Sequence, residues 1–132
     1  MAKALEMIHV NDPKQELWDS LGEFVKGTEM IADRLLLGVY KRPEKTAGGI
    51  ILTQTAQAED DFQGKVGLVL KMGPLAFTED EGHQWGGVAP KVGDWVLFRT
   101  GDTFSFTLGE KTCRIIREGN VQAILDRPDM AL

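Results

Sequence analysis

Lys91-Val92-Gly93-Asp94-Trp95-Val96-Leu97-Phe98 reads as a tight turn that runs straight into a strand. Glycine and aspartate are turn formers, and the aromatic and branched residues that follow suit a pleated, half-buried surface. Downstream, Thr103-Phe104-Ser105-Phe106-Thr107-Leu108 alternates cleanly, and Gly109-Glu110-Lys111 is a turn. Thr112-Cys113-Arg114-Ile115-Ile116-Arg117 and Val121-Gln122-Ala123-Ile124-Leu125 are two more strands. Upstream, Gly64-Lys65-Val66-Gly67-Leu68-Val69-Leu70-Lys71-Met72 is a strand ended by Gly73-Pro74, and Arg34-Leu35-Leu36-Leu37-Gly38-Val39-Tyr40 is another. Short strands at this spacing, with glycine at the corners, predict a small all-β barrel or sandwich.

Residues 1–29 have a different character. Asp12-Pro13 sets a capping residue before a proline at the first helical position, with Gln15 at the capping-box position. Leu17, Trp18, Leu21, Phe24 and Val25 then recur on one helical face, and Gly27 is a helix stop. A helix is expected over about 13–26. Its apolar stripe must cover its own domain, a neighbouring subunit or another protein.

The chain has 132 residues, 42% of them hydrophobic, which suits one domain with an appendage. Its formal net charge of −5 disfavours nucleic-acid partners. No apolar run approaches the ~20 residues that span a bilayer, and no secretory signal is expected at the start. Cys113 stands alone, so no internal disulfide is expected, and a reducing, cytoplasmic setting fits. Among apolar neighbours it reads as a small buried hydrophobe.

Two long connections interrupt the strands, at about 41–63 and 73–91. Connections of this length are usually functional or disordered. The first carries Thr46-Ala47-Gly48-Gly49-Ile50-Ile51-Leu52-Thr53, a short aliphatic tip between polar flanks. Such a tip either begins a strand of its own core or is kept for a partner's groove. The second holds Glu79-Asp80-Glu81-Gly82, which reads as a solvated tip, and Trp85-Gly86-Gly87.

No catalytic site assembles. His9 and His83 lie in separate segments without ligand spacing, and no nucleophile elbow or phosphate-cradling lysine loop is present. Neither an enzyme nor a metal protein is expected.

The β region resembles the co-chaperonin family (GroES, chaperonin-10). Asp33-Arg34-Leu35-Leu36-Leu37 is similar to its first barrel strand, and Lys45-Thr46-Ala47-Gly48-Gly49-Ile50-Ile51-Leu52 to its mobile loop. Gly64-Lys65-Val66 opens the next strand. Lys91–Phe98 is similar to the family's Val-Gly-Asp-x-Val-x-Phe signature, and Val121–Leu125 to its last strand. The resemblance spans about 30–126. It implies a GroES-like β-barrel with a mobile loop at 41–63 and a roof hairpin at 73–91; the expected N-terminal helix precedes this barrel, and a tail at 127–132 follows it. It further implies a homo-oligomeric ring of seven subunits. Each loop would dock Ile50, Ile51 and Leu52 between apical-domain helices of a large GroEL-type chaperonin, with Gly48 and Gly49 allowing the turn that presents them. The last strand and the segment before Asp33 would pair across subunits. No cofactor is implied, since ATP is bound by the partner chaperonin and not by this chain. No membrane or nucleic-acid partner is implied.

Three features depart from the family pattern. The first ~30 residues have no counterpart, Gly38-Val39-Tyr40 stands where basic residues are commoner, and the roof segment is longer and carries Trp85. A specialised, virus-encoded co-chaperonin acting in a host cytoplasm would look like this. The alternative is a structural protein on the same barrel, a virion decoration or assembly component. In that case the helix would be the docking element and Ile50–Leu52 would pack permanently.

Overall fold

A computed structural model describes residues 12–41, 65–79 and 85–130. Helix α1 (Pro13–Lys26) precedes six strands: β1 (Arg34–Val39), β2 (Val66–Met72), β3 (Trp95–Phe98), β4 (Phe104–Leu108), β5 (Lys111–Arg117) and β6 (Val121–Leu125). They form one sheet in the order β4-β5-β1-β2-β3-β6, with every pairing antiparallel.

The opening turn forms as its residues require. The Lys91 N–H donates to Asp94 Oδ2 at 2.9 Å, and the Asp94 N–H to the Lys91 carbonyl at 3.0 Å. Gly93 sits at φ 96°, where a side chain would be strained. Its N–H reaches the Val69 carbonyl at 2.8 Å, and the Val69 N–H reaches the Asp94 carbonyl at 2.9 Å. The turn is therefore stitched into β2.

The sheet curls on itself. Leu35 and Leu37 of β1 share one apolar cluster with Val69, Val96, Phe98 and Ile116, joined by Val121 of the edge strand β6. Ile116 and Val121 meet there although three strands separate β5 from β6. Register shifts at Leu36/Leu37 and at Leu97/Phe98 supply the bending that bulges give a sheet.

Successive side chains of a strand point to opposite faces. Leu36, Tyr40, Leu68, Leu70, Trp95 and Cys113 therefore face away from that cluster, into a second one completed by Leu17 and Leu21 of α1. The helix covers the outer wall of its own sheet. This explains why Leu35, Leu36 and Leu37 are all fully buried, as expected of strands covered on both faces.

Helix α1 spans the expected residues, with one local difference. Asp12 accepts from the Lys14 N–H at 3.1 Å, but Gln15 donates to Asp19 at 2.8 Å instead of reaching back to close a capping box. Gln15 and Asp19 are i,i+4 neighbours on the exposed face, and that pairing wins. At the other end the Lys71 ammonium donates to the Val25 carbonyl at 2.9 Å and also to the Thr28 carbonyl. Both acceptors lie at the helix's carbonyl-rich terminus, where a cation is favoured.

Candidate functional site

Strands β1 and β2 define two ends of the molecule. At one end Val39 pairs with Gly67, and at the other Leu35 pairs with Met72. The long connection with the aliphatic tip leaves the first end after Lys41 and returns before Lys65. The second long connection leaves the other end after Met72.

The first end is firmly built. The Tyr40 N–H donates to the Val66 carbonyl at 2.9 Å, and the Phe98 N–H to the Lys65 carbonyl at 2.8 Å. Tyr40 is buried, and its ring meets Trp95 edge-on at 5.7 Å and 78°. Lys41 and Lys65 are exposed. Pro13, Glu16 and Leu17 from the first turns of α1 meet Tyr40, Lys41 and Thr112 around a cavity of about 50 Å³. Gly48, Gly49, Ile50, Ile51 and Leu52 lie outside the described residues, as does nearly all of the 41–63 loop.

At the opposite end, the two described limbs of the 73–91 segment come together. The Phe77 and Trp85 rings meet edge-on at 5.1 Å, and Trp85 Nε1 donates to the Thr78 carbonyl at 3.2 Å. The Phe77 N–H donates to Glu118 Oε2 at 3.1 Å, which ties one limb to the turn after β5. Ring contact and side-chain bonds join the two described limbs of this segment. Its described limbs carry turns at 74–77 and 86–87, with no ladder between them. Leu75 and Val88 there are 57% and 70% exposed. A run of glycine, proline and isolated apolar residues supports turns better than a ladder.

Two residues carry structural roles that local sequence does not reveal in full. Lys71 reads as an ordinary polar residue at a strand end, and only the packing of α1 makes it a helix cap. Gly38 interrupts a run of strand formers, which is a legible sign of close approach; what approaches is Leu17.

Reactive chemistry is sparse. Burial pushes the Cys113 thiol from its ordinary 9.0 up to about 11, so it is a poor nucleophile. Among the described residues no three His, Cys, Asp or Glu side chains gather as a metal site, and His9 and His83 lie outside them. No helix among these residues is long and apolar enough to cross a membrane.

A curled six-stranded antiparallel sheet with long connections at opposite ends defines a small barrel of the co-chaperonin type. The family model described as "Chaperonin 10 Kd subunit" matches residues 28–125, and the chain belongs to that family. Over 95 residues the chain is 39% identical to the protein named Co-chaperonin GroES of Pelagibacter ubique (strain HTCC1062), covering 70% of this chain and 90% of that one. It is also 30% identical over 95 residues to Co-chaperonin GroES 2 of Mesorhizobium japonicum, covering 72% of this chain and 86% of the relative. Helix α1 ends before the matched region begins.

Proposed function

We propose that this chain is a non-enzymatic co-chaperonin, which caps the ring of a large GroEL-type chaperonin and assists ATP-dependent folding of the enclosed protein. In this reading Gly48 and Gly49 turn the loop, and Ile50, Ile51 and Leu52 enter an apolar groove on the partner. The partner supplies the ATP site. The observation that carries the reading is the placement of the two long connections at opposite ends of the β1–β2 pair, inside a barrel of this family. One end grips and the other roofs.

Energetics favour many loops acting together. Burying three aliphatic side chains yields ~5–9 kcal/mol gross. Ordering about ten loop residues costs ~10 kcal/mol or more of backbone entropy. One loop alone binds weakly. Loops carried on one ring of subunits bind through effective concentration and still release on each cycle.

The structural-component reading required α1 as a docking element. Leu17 and Leu21 are instead buried against the chain's own sheet, so that reading loses its docking surface. An ATP-dependent pull-down with a bacterial chaperonin tests the lid reading. Wild type is expected to be retained, and Ile51→Asp to be lost while its fold and oligomeric state stay intact. Unfolding of Ile51→Asp would assign the side chain to the core and end the proposal.

A further inference from the structure

We infer that α1 and Tyr40 are positioning elements for the partner-binding loop: the helix braces the strand ends from which that loop departs. The inference rests on the lid reading for its functional half and on described residues for its structural half. The N-terminal turns of the helix stand at the loop end of the sheet, and Ser20 and Phe24 further along it face the β4–β5 turn at that same end. Pro13, Glu16 and Leu17 share a small cavity with Tyr40 and Lys41. Leu17 lies on Gly38, two residues before Tyr40. Tyr40 is held from the other side by Trp95, and its N–H closes the last bond of the β1–β2 pair, to Val66. The far end of the helix is anchored separately, through Lys71 on β2. A helix fixed at both ends thus restrains the last residues of β1.

The consequence follows from loop entropy. Every residue whose backbone is already fixed in the free protein adds nothing to the entropy lost on docking. A braced root presents the loop with fewer residues left to order. Undocking the helix lengthens the segment that binding must order, and affinity falls. Because the helix lies outside the family-matched residues, this control is an addition to the barrel rather than part of it.

Hydrogen exchange and chaperonin affinity, measured on the full chain, separate the parts. Leu17→Ala removes the contact beside the root, and Lys71→Met releases the far end. In Leu17→Ala the Tyr40 amide is expected to exchange at least tenfold faster relative to the Val69 amide than in wild type, and chaperonin affinity under ATP to fall at least tenfold. Lys71→Met is expected to shift the same ratio in the same direction by less. Parallel acceleration of Tyr40 and Val69 in both variants would mean the helix only stabilises the whole fold, and would overturn the brace. A faster Tyr40 amide with unchanged affinity would overturn its role in positioning. Failure of wild type to bind any chaperonin would refute the lid reading and with it the positioning role, while the exchange ratio still decides the structural half. Ile51→Asp serves as the control that loses binding with the Tyr40 amide unmoved.

Discussion

Leu17 of α1 lies against Gly38 of β1 so closely that a methyl group at Gly38 would stand 3.0 Å from Leu17 Cδ2 and 3.4 Å from Leu70 Cδ1. This one contact joins two of the features that set the sequence apart. The added helix and the Gly38-Val39-Tyr40 tail of β1 are the two halves of a single packing arrangement. A basic side chain at position 38 would project into the space that the helix fills, and Val39 and Tyr40 are buried beside it.

Enlarging residue 38 should therefore lift the helix in proportion to side-chain size. Gly38→Ala needs Leu17 to yield by only a few tenths of an ångström at its flexible end. Gly38→Val cannot be relieved that way and should cost about 1–3 kcal/mol, the usual range for overpacking. Urea denaturation of the two variants measures this. Equal, negligible losses would show that the helix is not seated on β1.

Lys71→Met should lower stability by about 1–3 kcal/mol. The ammonium makes two charge-assisted bonds to the carbonyls of Val25 and Thr28, and a thioether leaves both acceptors without that donor. Its favourable position at the helix terminus is lost as well. Thermal unfolding should show a lower midpoint for Lys71→Met, and a smaller drop for Lys71→Arg, which keeps the charge.

Most of the sheet was readable from local chemistry. Val121–Leu125 and Pro13–Lys26 fall where alternation, helical period and the Asp12-Pro13 start put them. The ends of β1, β2, β4 and β5 shift by one or two residues, because a hydrogen-bonded ladder stops where its partner strand stops and not where propensity does. The partner of the helical stripe was not readable. Leu17 and Leu21 state that something must be covered, but only the three-dimensional course of β1 shows that Leu36 and Leu70 need the cover. The role of Lys71 was hidden for the same reason, since its acceptors lie 46 and 43 residues away. The aliphatic tip Ile50–Leu52 is a sequence signal alone, outside the described residues.

Cys113 predicts an alkaline weakness. Its thiol is pushed from 9.0 up to about 11 in the folded chain by burial. Between those values the unfolded chain has lost the proton and the folded chain keeps it, so stability falls as pH rises. The contribution is whole below pH 9.0 and lost progressively up to about 11. Cys113→Ser or Cys113→Ala should flatten the decline of stability over that window. Thiol-reactive reagents should label the wild type at a rate set by unfolding, so mild urea should accelerate labelling steeply. Rapid labelling of the native protein near pH 7 would contradict the burial.

Gly73 makes the sharpest contrast with Gly38, because the same substitution meets backbone and not a side-chain end. A methyl group at Gly73 would stand 2.2 Å from the Ala32 carbonyl oxygen and 2.9 Å from its carbon. Neither atom can rotate away. Ala32 is itself held at φ 53°, and its carbonyl accepts from the Leu75 N–H at 2.9 Å. The Gly73 N–H meanwhile donates to the Arg34 carbonyl at 2.8 Å. Relief must therefore break the bonds that hang the 73–79 limb on the start of β1. Gly73→Ala is expected to cost at least as much as Gly38→Val, toward the upper end of the ~1–3 kcal/mol overpacking range or beyond it. The damage should be local to the end of the sheet from which the 73–91 segment departs. The Phe77–Trp85 contact should loosen, with a red shift in Trp85 emission measured in a Trp18→Phe, Trp95→Phe background, while the Tyr40 amide at the opposite end keeps its protection. Loss of protection at both ends together would show that the two connections are not mechanically separate.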